Sequence, residues 1–413
     1  SSAASDVYKR QPLRRATARQ GLVIQLASSL TIMGAVMIAP MIPAMIAEFA
    51  PAHPRAGDLV PLIATGPALA IALFAPLAGW LADLAGRKRM LMAGTLAYAG
   101  FGVLPAFLHD LHLILVSRLL FGCAEAIIMT CCATLIADYW PPAERARYVT
   151  RQVVTIGIVG ALFFVIGGVV GAGSWRAPFY LYLLPLLLLP AMAALLWEPD
   201  RRREEAGAAQ APATGIALPL VLSYGLVFLG MLTSFVVPVM SPVLLVGIGV
   251  TSTGMIGLAS GLGLLATLAG SLAWPLARRR LGTLGVNALL LAAMALGLYL
   301  LAHAQSYAGV VTAVLIHGFG GGFLVANASL PLMLRLPARL RALGMGGFTA
   351  ALYLGQFASP IVIIAIAGPL GGMPPGLPAA ITLWAGAMAL LAAGCAAVAA
   401  LRPAPRPLPL DGA

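Results

Sequence analysis

Two charged residues stand inside one apolar run, "LHLILVSRLLFGCAEAIIMTCCATLIA" from residue 111: Arg118 and Glu125. If the run is helical, seven residues make about two turns, so both side chains share a face about 10 Å apart along the axis. A guanidinium is a planar fork suited to anions, and a carboxyl in apolar surroundings can accept and release a proton. Each charge costs about 2.5–3.5 kcal/mol at the centre of a bilayer on insertion scales, so its presence asks for a reason. Gly122, between them, is expected to leave room for a substrate or water. Proton exchange and anion handling are the chemistry on offer; a structural polar pair satisfied by neighbouring helices is the plainer reading.

A second concentration of charge is "GWLADLAGRKRM", residues 79–90. Asp83 and Arg87 are four apart and can pair on one helical turn. Gly79 and Gly86 remove side chains where a helix or a tight turn must come close. Arg87, Lys88 and Arg89 would also serve as a plain topogenic loop.

The elements that must carry these residues follow from composition. The chain has 413 residues, of which 61% are hydrophobic and 9% charged, with mean hydropathy +0.97. Soluble domains average about a quarter charged residues. Stretches of about twenty apolar residues cross a bilayer as helices, and twelve are expected here: 21–48, 59–82, 88–108, 112–137, 150–172, 178–197, 217–245, 253–277, 283–302, 306–334, 342–369 and 378–401. Two of them, 21–48 and 306–334, contain Pro or clustered Gly and should tilt or kink. Of 25 Lys and Arg residues, 22 fall in the two ends or in alternate loops. By the positive-inside rule both ends and the loop at 87–89 are cytoplasmic. The net charge of +12 is therefore a topology signal, and a nucleic-acid partner is not expected.

The chain also repeats itself at an offset near 195: Trp80 and Trp274 are 194 apart, Pro142 and Pro337 195 apart. "WEPDRRREEAGAAQAPATG", from residue 197, is the longest polar stretch and reads as a linker. The expected organisation is an N-terminal segment 1–20, a six-helix bundle 21–197, a linker 198–216, a six-helix bundle 217–401 and a tail 402–413, forming an all-α membrane protein. Residues 1–11 read as a scar and are set apart. Halved repeats of this kind typify secondary transporters, with the site near midplane between the halves.

Several classes are excluded. Lys9 and Lys88 are the only lysines, and neither lies in a phosphate-binding GxxxxGK[ST] loop. The five histidines show no HExxH spacing, and the four cysteines, all within spans, form no CxxC pair, so neither a metal nor another cofactor is expected. The glycines of "GFGGGF" and "GMGG" read as close helix contacts. The second half offers neutral polar groups: His317, at the position of Gly122 by the 195 offset, with Asn327, Tyr353 and Gln356, and Tyr224, Thr233 and Ser234. His317 is a candidate second proton site, since imidazole titrates near physiological pH, or a packing residue.

Gly79-x-Leu81-Ala82-Asp83-x-x-Gly86-Arg87-Lys88 between spans 2 and 3 resembles the signature loop of the major facilitator superfamily. Arg118-x-x-x-Gly122-x-x-x-Ala126 in span 4 and "GSWRAPF" before span 6 resemble further motifs of that family. The resemblance implies a twelve-helix fold in which Asp83 faces the start of span 11, near Leu343 to Gly347, and Asp138 shares Arg87. Such a cluster would latch the two halves on the cytoplasmic side. Leu84 stands where the family often has a cation, and Ala277 aligns with Asp83, so the second copy should keep only a topological role. The Arg-x6-Glu spacing is similar to that of spinster-type and organic-anion carriers, although span 1 has no acid, only Gln25, Ser28, Ser29 and Thr31. The antiporter motif GxxxGPxxGG is degraded in span 5: Gly167 and Gly168 fit its end, but Phe163 and Phe164 occupy its Gly-Pro.

The expected function is alternating-access transport of a small amphipathic or weakly anionic organic compound, proton-coupled, with efflux slightly favoured. Uptake of an organic anion is the alternative, and a channel a lesser one. The site residues expected for substrate and protons are Arg118, Glu125, His317, Gln356 and Asn327. Those expected for gating are Gly79, Asp83, Gly86, Arg87, Lys88 and Asp138. No catalytic residue is expected, and the partners are substrate, protons and the bilayer, around a monomer in a bacterial inner membrane.

Overall fold

The computed structural model describes residues 16–199, 217–336 and 338–401. The expected segment 1–15, most of the linker (200–216) and the tail (402–413) lie outside the described residues.

Helix α1 (Ala18–Val36) opens with a capping box, in which Thr17 and Gln20 satisfy each other's ends. Pro40 then stops regular α geometry; a 3-10 turn at Ala39–Met41 leads into α2 (Ile42–Phe49), the kink expected of this span. Helix α3 (Ala56–Ala85) ends at Gly86, whose φ of +98° favours glycine. Helix α4 (Arg87–Val103) follows without a loop. Helix α5 (Leu111–Tyr139) is capped by Asp110, whose carboxylate accepts from the Leu113 N–H at 2.9 Å. Helix α6 spans Pro142–Val170, and a 3-10 stretch (Ala177–Leu188) runs into α7 (Leu189–Leu195).

The second half holds α8 (Ala217–Gly247), α9 (Thr253–Ala302), α10 (Tyr307–Gly321), α11 (Leu324–Arg335), α12 (Ala338–Ala367) and α13 (Leu377–Leu401). Among the described residues ten helical stretches are long and apolar enough to cross a bilayer. They account for the expected spans in two ways. The pair 253–277 and 283–302 is one fifty-residue run broken at Gly282, where φ is +66°. The span expected at 88–108 is the 17-residue α4, too short and too charged at its start to qualify alone. The break between α10 and α11 falls in "GFGGGF", the second kink expected.

Glycines set the helix spacing. A Cβ on Gly320 would sit 3.0 Å from the Leu290 carbonyl oxygen, and one on Gly322 would sit 2.6 Å from the Ser271 nitrogen. The four cysteines are free thiols, with Cys131 and Cys132 buried.

The two halves of the chain meet at the end of the molecule that carries Glu48. There the Thr253 hydroxyl of α9 donates to the Gly168 carbonyl of α6 at 2.6 Å. Backbone lies against backbone: a Cβ on Gly257 would run into the Phe164 carbonyl, and one on Gly261 would approach the Ala161 carbonyl oxygen to 2.9 Å. So Gly167 and Gly168 keep a close-packing role although the motif around them is degraded. At the opposite, Arg87 end the facing residues stand apart, with the Asp83 side chain 68% exposed and Leu343 76% exposed.

Candidate functional site

Helix α5 places Arg118 and Glu125 in the interior of the first half, with relative exposures of 0% and 2%. Arg118 is held by backbone rather than by acid. Its Nη2 donates to the Gly34 carbonyl of α1 at 2.8 Å and its Nε to the Ile63 carbonyl of α3 at 3.4 Å. Its guanidinium lies over the Phe121 ring at 4.0 Å and near the Tyr182 ring at 5.3 Å. Proline-rich α3 and the 3-10 stretch supply this cage, which also includes Tyr98, 4.2 Å from Phe121. Cation–π contact compensates a desolvated guanidinium in part, yet Nη1 has no hydrogen-bond partner among the described residues.

Glu125 lies about two turns further along α5. Its Oε2 also lacks a partner among the described residues, and it rests on the same glycine: a Cβ on Gly34 would be 2.8 Å from it. The room expected at Gly122 is not there. A Cβ on Gly122 would sit 2.5 Å from the Pro67 carbonyl oxygen, because α3 packs its backbone onto that spot. Gly122 is a helix-contact residue, and Gly34 is one too, its missing side chain leaving just enough room for the Phe121 ring and the Glu125 carboxyl. From the other half, Tyr353 of α12 reaches α5 one turn beyond Glu125, its hydroxyl contacting Met129 Sδ at 3.2 Å. Gln356, buried to 6% exposure, lies three residues along the same helix.

His317 and Asn327 are not brought to this place by any contact. His317 Nδ1 lies 3.1 Å from the Met294 carbonyl, and its Cβ packs on Gly297, so α9 and α10 clasp the ring. Asn327 has another task. Its Oδ1 accepts from Trp274 Nε1 at 3.2 Å and Arg278 Nη1 at 3.0 Å, while its Nδ2 donates to the Thr283 carbonyl at 3.0 Å and Asn287 Oδ1 at 2.6 Å. An amide offers two donors and two acceptor sites, and all are used, clamping the chain on both sides of the Gly282 break. The second copy of the signature loop is therefore held by a neutral side chain where the first uses acids.

The gating residues do converge. Arg87 Nη1 pairs with Asp138 of α5, and Nη2 with Asp83 at 3.3 Å. Partial burial by itself would pull the Arg87 pKa down; the hydrogen bonds and charges of Asp138, then Asp83, outweigh it and leave the value raised. A further acid was not anticipated: Glu198, at the start of the linker, accepts from the backbone N–H groups of Arg87 and Lys88. A carboxylate at a helix N-terminus is favoured by the dipole and the free N–H groups there. Gly86 must be glycine twice over, since a Cβ would also sit 2.8 Å from the Glu198 carboxyl. Lys88 Nζ donates to the Ala193 carbonyl at 2.7 Å. Gly79 is under no such demand, because a Cβ there would meet only the Thr130 methyl at 3.8 Å. Among the described residues no hydrogen bond or ion pair joins Asp83 to Leu343–Gly347, and Asp83 and Leu343 are both exposed.

"GSWRAPF" also acquires a role. Trp175 Nε1 and Arg176 Nη1 donate to the two oxygens of Glu48 at 2.6 and 2.7 Å, with the guanidinium stacked on the indole at 4.1 Å. Among the described residues no group of three or more His, Cys, Asp or Glu is arranged to hold a metal.

The fold has close relatives among solved structures. A D-xylose–proton symporter superposes with TM-score 0.74 at 16% identity, over 91% of this chain and 96% of that one. A bacterial homologue of the human lysosomal transporter spinster, in an inward-facing and occupied conformation, gives 0.72 at 16% identity over 93% and 96%. In sequence, the tetracycline resistance protein, class H, of Pasteurella multocida is 27% identical over 46% of this chain and 47% of its own length. A gallate transporter of Pseudomonas putida is 35% identical over 36% of this chain and 33% of its own. The chain thus spans half or less of the length of these curated relatives. The family model of the Major Facilitator Superfamily matches residues 24–360. With that match across most of its length, and with the signature loop folded around Arg87, the chain belongs to the Major Facilitator Superfamily.

Proposed function

We propose that this protein is a secondary transporter that moves a small amphipathic or weakly anionic organic compound by alternating access, coupled to protons. The observation that carries the reading is the pair of buried, unjoined charges at Gly34: Arg118 tied to backbone, and Glu125 with an oxygen that has no partner among the described residues, one turn before Met129, which Tyr353 of the other half contacts. A bare carboxylate in such a site is costly. It is a group that takes a proton when enclosed and gives it up when one side opens to water. Glu125 is the proposed proton carrier, and Gln356 and Tyr353 the proposed contribution of the second half. Arg118 serves an anionic substrate only if its cage loosens on opening. His317 remains a lesser candidate for a second proton.

The proposed site residues include one cation, one acid and few neutral hydrogen-bonding side chains, which suits an apolar or weakly acidic organic molecule better than a sugar. Relatives named for tetracycline resistance, gallate transport and 4-hydroxybenzoate transport fit that class. Efflux is favoured slightly; uptake of an aromatic acid is the second reading, supported by the latter two names. The Arg87 end is assigned to the cytoplasm of a bacterial inner membrane on the basic-loop argument. Both chain ends lie on that side, and two six-helix bundles joined by residues 198–216 work as a monomer.

The test is to reconstitute wild type and Glu125→Gln in proteoliposomes and screen tetracyclines, gallate and 4-hydroxybenzoate. Wild type should show saturable transport, driven by an imposed pH difference. Glu125→Gln should keep counterflow at equal pH and lose gradient-driven accumulation. Accumulation by Glu125→Gln would move the proton elsewhere, and non-saturating current would favour a channel.

A further inference from the structure

Helices α9 and α13 leave a groove of about 710 Å³ between them, away from the site around Glu125. It is lined almost wholly by small and apolar residues, among them Ala288, Ala292, Ala295, Ala389 and Ala396, and closed at its far end by Tyr299 and Thr382. From Ala288 to Tyr299 it follows eleven residues of helix, about 16 Å. That is about half of the roughly 30 Å hydrocarbon core, the depth of one leaflet.

The strip continues beyond the mouth. Gly285 falls three residues before Ala288 on the same face, and Leu281 packs against it from across the Gly282 break. A Cβ on Gly285 would meet nothing but the Leu281 side chain, and Leu281 is itself 49% exposed. Just before the Gly282 break stand Arg279 and Arg280, both exposed and without an ion-pair partner among the described residues. Their neighbour Arg278 is occupied by Asn327. Thr283 to Ala288 is about 8 Å of helix and the two arginines lie just before the Gly282 break that starts it, in the loop between two spans, which places the cations at headgroup level beyond the mouth of the apolar channel.

We propose that this groove binds one anionic phospholipid, an acyl chain lying along the alanines and the phosphate on Arg279 and Arg280. A channel one leaflet deep with two uncompensated guanidiniums at its mouth matches both parts of that molecule. A second copy of the chain is a poorer occupant. Two copies related by a two-fold axis along the membrane normal would bring four of these arginines to one rim, like charge against like.

The experiment is native mass spectrometry of the purified full chain with phosphatidylglycerol, phosphatidylcholine of identical acyl chains, and soluble glycerol phosphate. At about 1 kcal/mol per interfacial cation, or about fivefold each, wild type should retain phosphatidylglycerol roughly twentyfold better than phosphatidylcholine. Glycerol phosphate should not displace it. Arg279→Gln with Arg280→Gln should erase the preference while both lipids still bind. Ala292→Phe or Ala389→Phe, each at an exposed position, should fill the groove and release both lipids with an unchanged melting temperature in detergent. Equal retention of the two lipids by wild type overturns the proposal, as does undiminished phosphatidylglycerol in the Phe variants. A wild-type dimer that either Phe variant disperses overturns it too, by assigning the groove to a second copy.

Discussion

Arg118 and Glu125 lie on one face of α5 and reach the same residue, Gly34 of α1, without pairing: the cation binds its carbonyl, the acid rests against its Cα. Opposite charges this close in a dry interior normally form an ion pair. Here the backbone has taken the cation, which leaves the acid free to change its protonation.

The first prediction concerns Arg118. Truncating it strands the Ile63 carbonyl, leaves the Gly34 carbonyl only the Tyr182 hydroxyl at 3.4 Å, and opens a hole under Phe121 and Tyr182. A buried acceptor left unsatisfied costs about 1–3 kcal/mol, so Arg118→Ala should lower the melting temperature in detergent markedly. Arg118→Lys keeps the charge but not the planar fork, and should fall between. If Arg118→Ala melts like wild type and loses only binding of gallate or another anionic ligand, the residue is a substrate anchor and not a brace.

Two glycines of the expected motifs should part company. At Gly122 a Cβ would sit 2.5 Å from Pro67 oxygen; at Gly79 its nearest neighbour is 3.8 Å away. Overpacking typically costs about 1–3 kcal/mol. Gly122→Ala should therefore destabilise the first half by about that much, while Gly79→Ala leaves stability unchanged. Thermal unfolding of the two variants side by side decides it.

In the Arg87 cluster, Asp138 should matter more than Asp83 in the state seen here. The Asp138 side chain is 21% exposed and that of Asp83 68%, and exposed pairs contribute at most about 1 kcal/mol. Asp138→Asn should loosen the start of α4, read as faster hydrogen exchange at Arg87–Arg89, with little change for Asp83→Asn. Transport should rank differently: Asp83→Asn should slow turnover and raise cysteine labelling from the Arg87 side, since the contact expected of Asp83 with the start of α12 forms only when that end closes. Unaltered labelling and turnover in Asp83→Asn would reduce the loop to a topogenic role.

Gly168→Leu should force α6 and α9 apart at the Glu48 end, because the Thr253 backbone occupies the space its side chain needs. Labelling of Thr253→Cys, half-buried in this structure, by a membrane-impermeant reagent should then rise. Persistent protection would mean that the helices part elsewhere.

How much of this was readable beforehand depends on the kind of signal. Apolar length located the helices, and proline and clustered glycine located the breaks at Pro40 and Gly322, because both act within a few residues. Spacing also brought Asp83, Arg87 and Asp138 together, through the likeness to a known loop. The partners of Arg118 were not legible: Gly34 and Ile63 contribute carbonyls, and a backbone acceptor has no signature in the residue type. Glu198 was hidden for a related reason, since it looked like the first acid of a polar linker. Asn327 was misplaced toward substrate because a buried amide looks the same whether it lines a cavity or ties a turn; only the four bonded neighbours tell them apart.

The contrast between the two loop anchors sets how each half responds to its surroundings. Ionic contacts at a water boundary weaken as salt rises, over a Debye length of about 8 Å near physiological ionic strength; hydrogen bonds to a buried neutral amide do not. The loop around Arg87 is held by carboxylates and the one around Gly282 by Asn327. Added salt should therefore speed hydrogen exchange at residues 87–89 and leave 282–285 unmoved, so that a pseudo-symmetric molecule answers ionic strength with only one of its halves.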